Sequence, residues 1–377
     1  MKRLVPFVCL LLAGSAVFAQ ARPIPAAPII GATSYLMIDS KSGRELASLK
    51  PDTPVPPASL TKLMTTYVVF HAIDDGRITL EDEVTVSEKA WRMEGSRMFI
   101  EVGNRVRVKD LLLGVIVQSG NDASVALAEH VAGSEAVFAE MMNQYAQELG
   151  MTSTHFVNAT GWPDDEHYTT ARDLAILARA LIEEFPDHYE WHAIKEFTWA
   201  DITQPNRNRL LWRDDSVDGL KTGHTEAAGY CLVASAERDG MRVISVVLGT
   251  ASDKARIDGT QALINYGFRF FETRLLYKAG EEITRARVWK SANEYSPLGV
   301  MEDLYITVPR GAYDALESLH NLPAVIEAPV ATGQPLGEIK VSLNDEVLLQ
   351  EQLRALADNP SGSLWQRAVD TVMLWLE

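Results

Sequence analysis

Apolar positions change their period several times along the chain, and each change predicts an element. Ser34 to Asp39 is a β-like run, and Lys41-Ser42-Gly43-Arg44 reads as a turn into a returning strand. Pro54, Pro56 and Pro57 hold the next segment extended up to a helix start. From Leu60 to Ile73 apolar residues recur at Leu60, Leu63, Met64, Tyr67, Val68 and Ala72, which is helical spacing. Helices are also predicted over Val108–Gln118, Ala123–Val131, Thr170–Glu184 and Gln261–Thr273. The first of these is apolar nearly all round and is expected to be buried. Lys221 follows a loop and opens a β segment, with strands over Ala228–Ala236 and Arg242–Leu248. Early strands, central helices and later strands predict an α/β (α+β) domain whose sheet joins both chain ends.

The texture changes after about residue 274. Ala286–Trp289, Leu304–Val308, Glu338–Leu343 and Val347–Leu353 are short β-like runs between Gly/Pro turns, which predicts a small all-β domain. Asp358 to Gly362 is a polar break, and Ser363–Glu377 is an amphipathic helix. Its apolar face carries Leu364, Trp365, Ala368, Val369, Val372, Met373, Trp375 and Leu376. The domains expected are thus 20–273, 274–357 and the tail 358–377, with no internal repeat.

The first residues read as an export signal. Lys2 and Arg3 are followed by an apolar stretch from Leu4 to Ala13, and Val17-Phe18-Ala19 suits cleavage after Ala19. The alternative, an uncleaved anchor, meets a stretch shorter than the roughly 20 residues that span a bilayer. Residues 1–19 are therefore set apart as a signal peptide. Cys9 falls inside it, away from the cut, which leaves Cys231 unable to form an internal disulfide. Cys231 sits in a strand-like run and reads as a small buried residue.

At 377 residues, 47% hydrophobic and 23% charged, the chain has ample material for a packed core. A net charge of −16 with no basic stripe argues against a nucleic-acid partner. The eight histidines are scattered without metal-ligand spacing, so neither a metal nor another cofactor is expected.

Three short motifs carry the chemistry: Ser59-Leu60-Thr61-Lys62, Ser119-Gly120-Asn121 and Lys221-Thr222-Gly223. Each is weak alone. About one Ser-x-x-Lys match is expected by chance from ordinary residue usage. Ser-x-Asn occurs three times, at Ser119, Ser291 and Ser342, and only Ser119 lies between the other two motifs. Ser59 and Lys62 stand one turn apart at a helix start, so their side chains share a face. Unpaired N–H groups there favour a developing oxyanion. Serine needs a proton acceptor, and a desolvated lysine near a second cation such as Lys221 is neutral near pH 7. The competing reading is an N-cap serine with a solvated lysine. The apolar flank of Lys62 and the order of the partner motifs speak against it. Ser119 can relay a proton to a leaving amine while Asn121 holds a substrate amide; a helix C-cap followed by an N-cap is the plain alternative. Lys221 and Thr222 can hold a carboxylate, and Gly223 allows close backbone approach; the alternative is an exposed β turn.

In this combination the chain resembles the penicillin-binding serine acyl-transfer family. It is most similar to the low-molecular-mass D-alanyl-D-alanine carboxypeptidases. The resemblance extends to Pro57–Lys62, Gln118–Ala123, Asp218–Thr225, Asn158-Ala159-Thr160-Gly161 and Tyr266–Phe271. It implies a penicillin-binding/β-lactamase-like transpeptidase domain, the small β domain and a terminal helix. It also implies Ser59 as the acylated nucleophile, Lys62 as its base, and Ser119 with Asn121 in proton relay and substrate contact. Lys221 and Thr222, helped by Arg256, would face the terminal carboxylate, with Gly223 beside them. The backbone N–H groups of Ser59 and His224 would form the oxyanion hole. The implied reaction removes the terminal D-alanine of peptidoglycan pentapeptides, and β-lactams would acylate the same serine. Arg207 is placed near the site by loop position alone. Trp162 stands where the group usually has leucine.

Fifteen residues are too few for the tail to cross a bilayer, and Trp at both ends suits a helix lying in the membrane surface. The tail lacks a basic face, and docking on its own domain or a partner is the alternative. The resemblance favours the membrane, and with the signal it implies a peripheral protein on the periplasmic face of the inner membrane. Two rival activities stay open. A β-lactamase is one, although Asp165 and Glu166 lie in Trp-Pro-Asp-Asp-Glu-His-Tyr and lack a deacylating-loop pattern. A noncatalytic β-lactam sensor or cell-wall scaffold is the other.

Overall fold

A computed structural model describes residues 24–376; the signal segment 1–19 lies outside the described residues. Five antiparallel strands form the main sheet, in the order Glu45–Leu49, Ser34–Asp39, Met241–Thr250, Gly229–Arg238 and Val217–Thr225. The N-terminal hairpin thus pairs with strands from beyond residue 216, as the arrangement of elements predicts. Leu36 and Ile38 face one core and Tyr35 and Met37 the other. A strand covered on both faces is apolar at successive positions, which explains why Ser34–Asp39 shows no alternation. The helix Asp253–Phe270 covers one face of the sheet. Lys62–Asp74, Asn121–Ala132 and Ala171–Glu184 build the layer on the other.

Several expected elements are displaced, each for a physical reason. Helix Asp253–Phe270 starts well before Gln261, where Ser252 accepts from the Ala255 N–H at 3.1 Å and caps it. Its polar opening, Asp-Lys-Ala-Arg, hides the helical period. It ends before Thr273 because Phe271–Tyr277 pairs as a strand with Leu304–Pro309. Lys221 does not open a strand; it sits in the middle of Val217–Thr225, whose central residues are buried. The helix from Val108 is α-helical only to Leu113 and continues as a π-turn over Gly114–Gln118. The helix read from Leu60 begins as a 3₁₀ turn, Ala58–Thr61. Helix Glu135–Glu148 was not among the predicted elements, although Ser134 as its cap and Phe138, Met142 and Ala146 at four-residue spacing mark it.

A second sheet runs Thr284–Arg287, Tyr295–Gly299, Glu346–Ala355, Pro335–Leu343, Glu317–Asn321 around its own apolar core. A polar latch joins the two units: Thr273 Oγ1 donates to Asp39 Oδ2 at 2.6 Å, and Arg44 donates to the Thr307 carbonyl at 2.6 Å. The tail helix Leu364–Leu376 has no buried residue; Trp365 and Trp375 are 77% and 85% exposed. Its apolar face is therefore not docked on the chain's own domains.

Glycine has a strict role at Gly161. Its φ of +80° disfavours other residues, and a Cβ there would lie 1.7 Å from the Ala58 carbonyl oxygen. The loop can reach the Ser59 turn only because that carbon is absent. Gly161→Ala should destabilise the fold by about 2 kcal/mol or more and abolish acylation of Ser59. Thermal denaturation and a fluorescent penicillin label measure both, and a variant that melts and labels normally would contradict this packing.

Candidate active site

Three elements converge on one cleft. The 3₁₀ turn supplies Ser59 and passes into the helix that opens with Lys62. Ser59 makes no capping bond, so the N-cap alternative does not describe it. Lys62 is only 1% exposed, and its Nζ lies 3.1 Å from Ser59 Oγ, 2.7 Å from Asn121 Oδ1 and 2.6 Å from the Thr160 carbonyl. Both carbonyl oxygens only accept hydrogen bonds. Two N–H donors satisfy them, and a neutral amine has two. Its lone pair is then left to Ser59. Burial is the largest cause that lowers the Lys62 pKa to about 7, and repulsion from Arg207 adds to it, against attraction from Asp122 and Glu135.

The π-turn ends at Ser119 in the left-handed region, φ 68°, ψ 35°. This swings its hydroxyl away from the helix end, so it caps nothing and instead accepts from Lys221 Nζ at 2.8 Å. Asn121 opens the next helix, and its Nδ2 donates to the Glu94 carbonyl at 2.6 Å, which fixes Oδ1 toward Lys62. The third side of the cleft is the edge strand Val217–Thr225. Gly223 lets it lie against the Ser59 turn, since a Cβ would meet the Pro57 carbonyl at 3.1 Å. Lys221 is buried, and burial, then Lys62, Arg207 and Arg256, hold its pKa well below the usual lysine value.

A cavity of about 460 Å³ lies between these elements, lined by Ser59, Ser119, Asn121, Thr222, His224 and Arg256 among others. Arg207 lines it too. Asn206 donates to the Ile194 carbonyl at 3.0 Å and Asn208 to the Gly219 carbonyl at 2.9 Å, so two buried amides pin the loop that presents the guanidinium. Arg256 donates to the Gly223 and Cys231 carbonyls at 3.1 and 3.3 Å. Half-exposed Trp162 forms part of the rim. Among the described residues no aspartate or glutamate lines the cavity. Among the described residues no cluster could hold a metal ion. Cys231 is buried, and burial raises its thiol to about 11, which suits the packing role read from its strand.

The sequence reading quoted the stretches that hold Asn158, Thr160 and Asp122 but gave these residues no role, and it missed His167. Asn158 Oδ1 accepts the N–H groups of Thr160, Gly161 and Trp162 at 3.1, 2.8 and 3.1 Å, and this turn aims the Thr160 carbonyl at Lys62. Asn followed three residues later by Gly is the available signal. Buried His167 accepts from the Val157 N–H at 3.4 Å through Nδ1, so Nε2–H donates to Thr61 Oγ1 at 2.8 Å. Burial lowers the His167 pKa to about 4, which keeps this tie neutral. Asp122 gathers the Met98, Phe99 and Ile100 N–H groups at 3.0, 2.9 and 3.3 Å, fixing the loop across the cleft.

Sheet, helical layer and serine–lysine cleft define the class of serine acyl-transfer proteins that bind penicillins. Within it, residues 21–252 match the D-alanyl-D-alanine carboxypeptidase family, and the chain belongs to that family. Residues 271–361 match the C-terminal domain of penicillin-binding protein 5. The chain is 42% identical to D-alanyl-D-alanine carboxypeptidase DacC of Escherichia coli, over 97% of this chain and 93% of the relative. It superposes on penicillin-binding protein 5 from Haemophilus influenzae with a TM-score of 0.87 and 41% identity, covering 89% of this chain and all of the other. Penicillin-binding protein D2 from Listeria monocytogenes, solved in its ampicillin-bound form, matches at TM-score 0.59 and 32% identity, over 63% of this chain and 98% of that one.

A protonated Lys62 cannot accept the Ser59 proton. Acylation of Ser59 by a penicillin reporter should therefore rise with pH through an apparent pKa near 7. Arg207→Gln removes a repulsion that lowers this value, so its limb should move to higher pH. Stopped-flow acylation rates across pH test this; an unmoved or lowered limb contradicts the assigned electrostatics.

Proposed function

We propose that the protein is a serine D-alanyl-D-alanine carboxypeptidase acting on peptidoglycan pentapeptides through a Ser59 acyl-enzyme. The observation that carries this is the placement of buried Lys62, whose Nζ lies 3.1 Å from Ser59 Oγ while the Asn121 and Thr160 carbonyl oxygens accept from it at 2.7 and 2.6 Å. Ser59 Oγ attacks the carbonyl of the penultimate D-alanine as its proton passes to Lys62. The backbone N–H groups of Ser59 and His224 receive the developing oxyanion. Lys62 returns the proton through Ser119 to the leaving amine, and the C–N bond breaks. Lys221 holds the Ser119 hydroxyl at 2.8 Å for this relay. Thr222 and Arg256 bind the terminal carboxylate together with Lys221, and Asn121 orients Lys62 and contacts the peptide. Water then attacks the ester, with Lys62 again taking the proton.

β-Lactams present a carbonyl and a carboxylate to the same groups and acylate Ser59. The relative solved with ampicillin supports this. The cavity lining offers no carboxylate to drive fast deacylation, which disfavours the β-lactamase reading.

Export and membrane attachment complete the proposal. The signal segment sends the chain to the periplasm, and the tail helix holds it peripherally on the inner membrane. Among the described residues no helix is long and apolar enough to cross a membrane. The uncovered face with Trp365 and Trp375 suits insertion to headgroup depth instead.

Mass spectrometry of products should show D-alanine released from a pentapeptide by the wild type and none by Ser59→Ala; release that survives the substitution refutes the mechanism. A chain lacking 364–377 should keep this activity yet leave the membrane fraction. An unchanged membrane fraction would exclude the helix as anchor.

A further inference from the structure

The loop that aims the Thr160 carbonyl at Lys62 is held from behind by a carboxylate that is not among the cavity-lining groups. Ser134 caps the helix Glu135–Glu148, so Glu135 is its first residue, where an acidic side chain ordinarily serves the N–H groups of its own first turn. Glu135 serves other elements instead. It is buried, and its Oε1 accepts from the Ala159 N–H at 3.0 Å while its Oε2 lies 2.7 Å from Lys89 Nζ.

Both contacts lead to Lys62. Ala159 is held at its two backbone groups: Glu135 takes the N–H, and Thr65 Oγ1, on the Lys62 helix, donates to the carbonyl at 2.7 Å. The next carbonyl along is that of Thr160, which accepts from Lys62 Nζ. Lys89 lies in the short helix Glu88–Trp91. The loop leaving that helix carries the Glu94 carbonyl, which orients Asn121, the other acceptor of the amine. Glu135 thus braces both segments on which the acceptors depend, one by a hydrogen bond and one by an ion pair.

Its charge acts on the same amine. From the elements packed around Lys62, Arg207, Lys221, His167, Asp122 and Glu135 face it. Burial lowers the Lys62 pKa most and Arg207 adds to this, while Asp122 and then Glu135 oppose it. His167, kept neutral by burial, contributes no charge near pH 7. The counter-charge of Glu135 comes from the protein surface, since the Lys89 side chain is 55% exposed.

We propose that Glu135 is a positioning residue for the general base: it fixes the loop that presents the Thr160 carbonyl, and the Lys89–Glu135 pair sets part of the charge against which Lys62 works. This rests on the assignment of Lys62 as the base in the reading above. A carboxylate near an amine favours its protonated form, so the pair acts on the pH at which Lys62 becomes able to accept the Ser59 proton.

The test is stopped-flow acylation of the full chain by a penicillin reporter across pH, at low ionic strength, where a partly exposed pair is least screened. Glu135→Gln keeps an oxygen for the Ala159 N–H and removes the charge. Its rising limb should move to lower pH by about half a unit, less than a carboxylate in direct contact would give. Lys89→Gln removes the opposing charge, and its limb should move to higher pH. Glu135→Leu loses the hydrogen bond as well, and its plateau rate should fall about tenfold below that of Glu135→Gln, as one unmet buried N–H allows. If Glu135→Leu fails to fold, the two charge variants still decide the matter. A limb left in place or raised by Glu135→Gln, one left in place or lowered by Lys89→Gln, or equal plateaux for the two Glu135 variants would each overturn the proposal. A wild-type rate with no limb near pH 7 would instead remove Lys62 as the base.

Discussion

The site depends on one constraint, that the amine of Lys62 be kept out of water. Moving its pKa from 10.5 to about 7 corresponds to on the order of 5 kcal/mol of preference for the neutral form. The sign follows from linkage. Between about pH 7 and 10.5 the unfolded chain binds a proton that the native chain does not. Native stability therefore falls as pH drops through that window. At neutral pH the fold carries a lysine that favours unfolding, and the apolar layer around Leu63, Met64 and the helix Asn121–Ala132 has to offset it.

Local geometry then serves the amine. A buried lysine with unmet donors would cost more than one with matched acceptors, and the chain supplies two fixed acceptors from different elements. Asn121 is oriented through Glu94, and Thr160 through the Asn158 turn. The π-turn at Gly114–Gln118 adds a residue of rotation, so that Ser119 points to Lys221 and not along its helix. Glycine at 161 and 223 removes the two side chains that would keep these elements apart. Each local irregularity answers a demand made by the same two hydroxyls and two amines.

These irregularities mark the limit of what the sequence discloses. Order and spacing of the motifs picked out Ser59, Lys62, Ser119, Asn121, Lys221 and Thr222, and the structure brings all six around one cavity or directly beneath it. Continuous apolar runs marked the strands Ser34–Asp39 and Arg242–Leu248, and helical period marked the helix Thr170–Glu184. Such patterns misplaced Lys221 and the helix Asp253–Phe270, since a polar first turn and a strand with buried lysine break them. Thr160 acts through a carbonyl, which every residue possesses, so side-chain identity could not announce it. His167 reaches the site from a loop whose course is set by long-range hydrogen bonds, while Arg207, read near the site from loop position alone, is held there by its neighbours Asn206 and Asn208.

In the proposed mechanism, the carboxylate clamp distinguishes a peptide from a β-lactam within one cleft. When D-alanine departs, its carboxylate would leave the clamp proposed at Thr222, Lys221 and Arg256, and water would gain the space beside Ser119 from which the amine has gone. In a β-lactam the leaving nitrogen stays tethered to the acyl group. Its carboxylate keeps the clamp filled, and the amine continues to occupy the path that the attacking water needs. The lining has no carboxylate to position water from another direction. Lys62 remains able to take a proton, yet nothing reaches it to give one up. In the proposed mechanism, occupancy of the leaving-group side would slow hydrolysis of such an acyl-enzyme, because the same neutral lysine that makes the serine reactive is left without a water to activate.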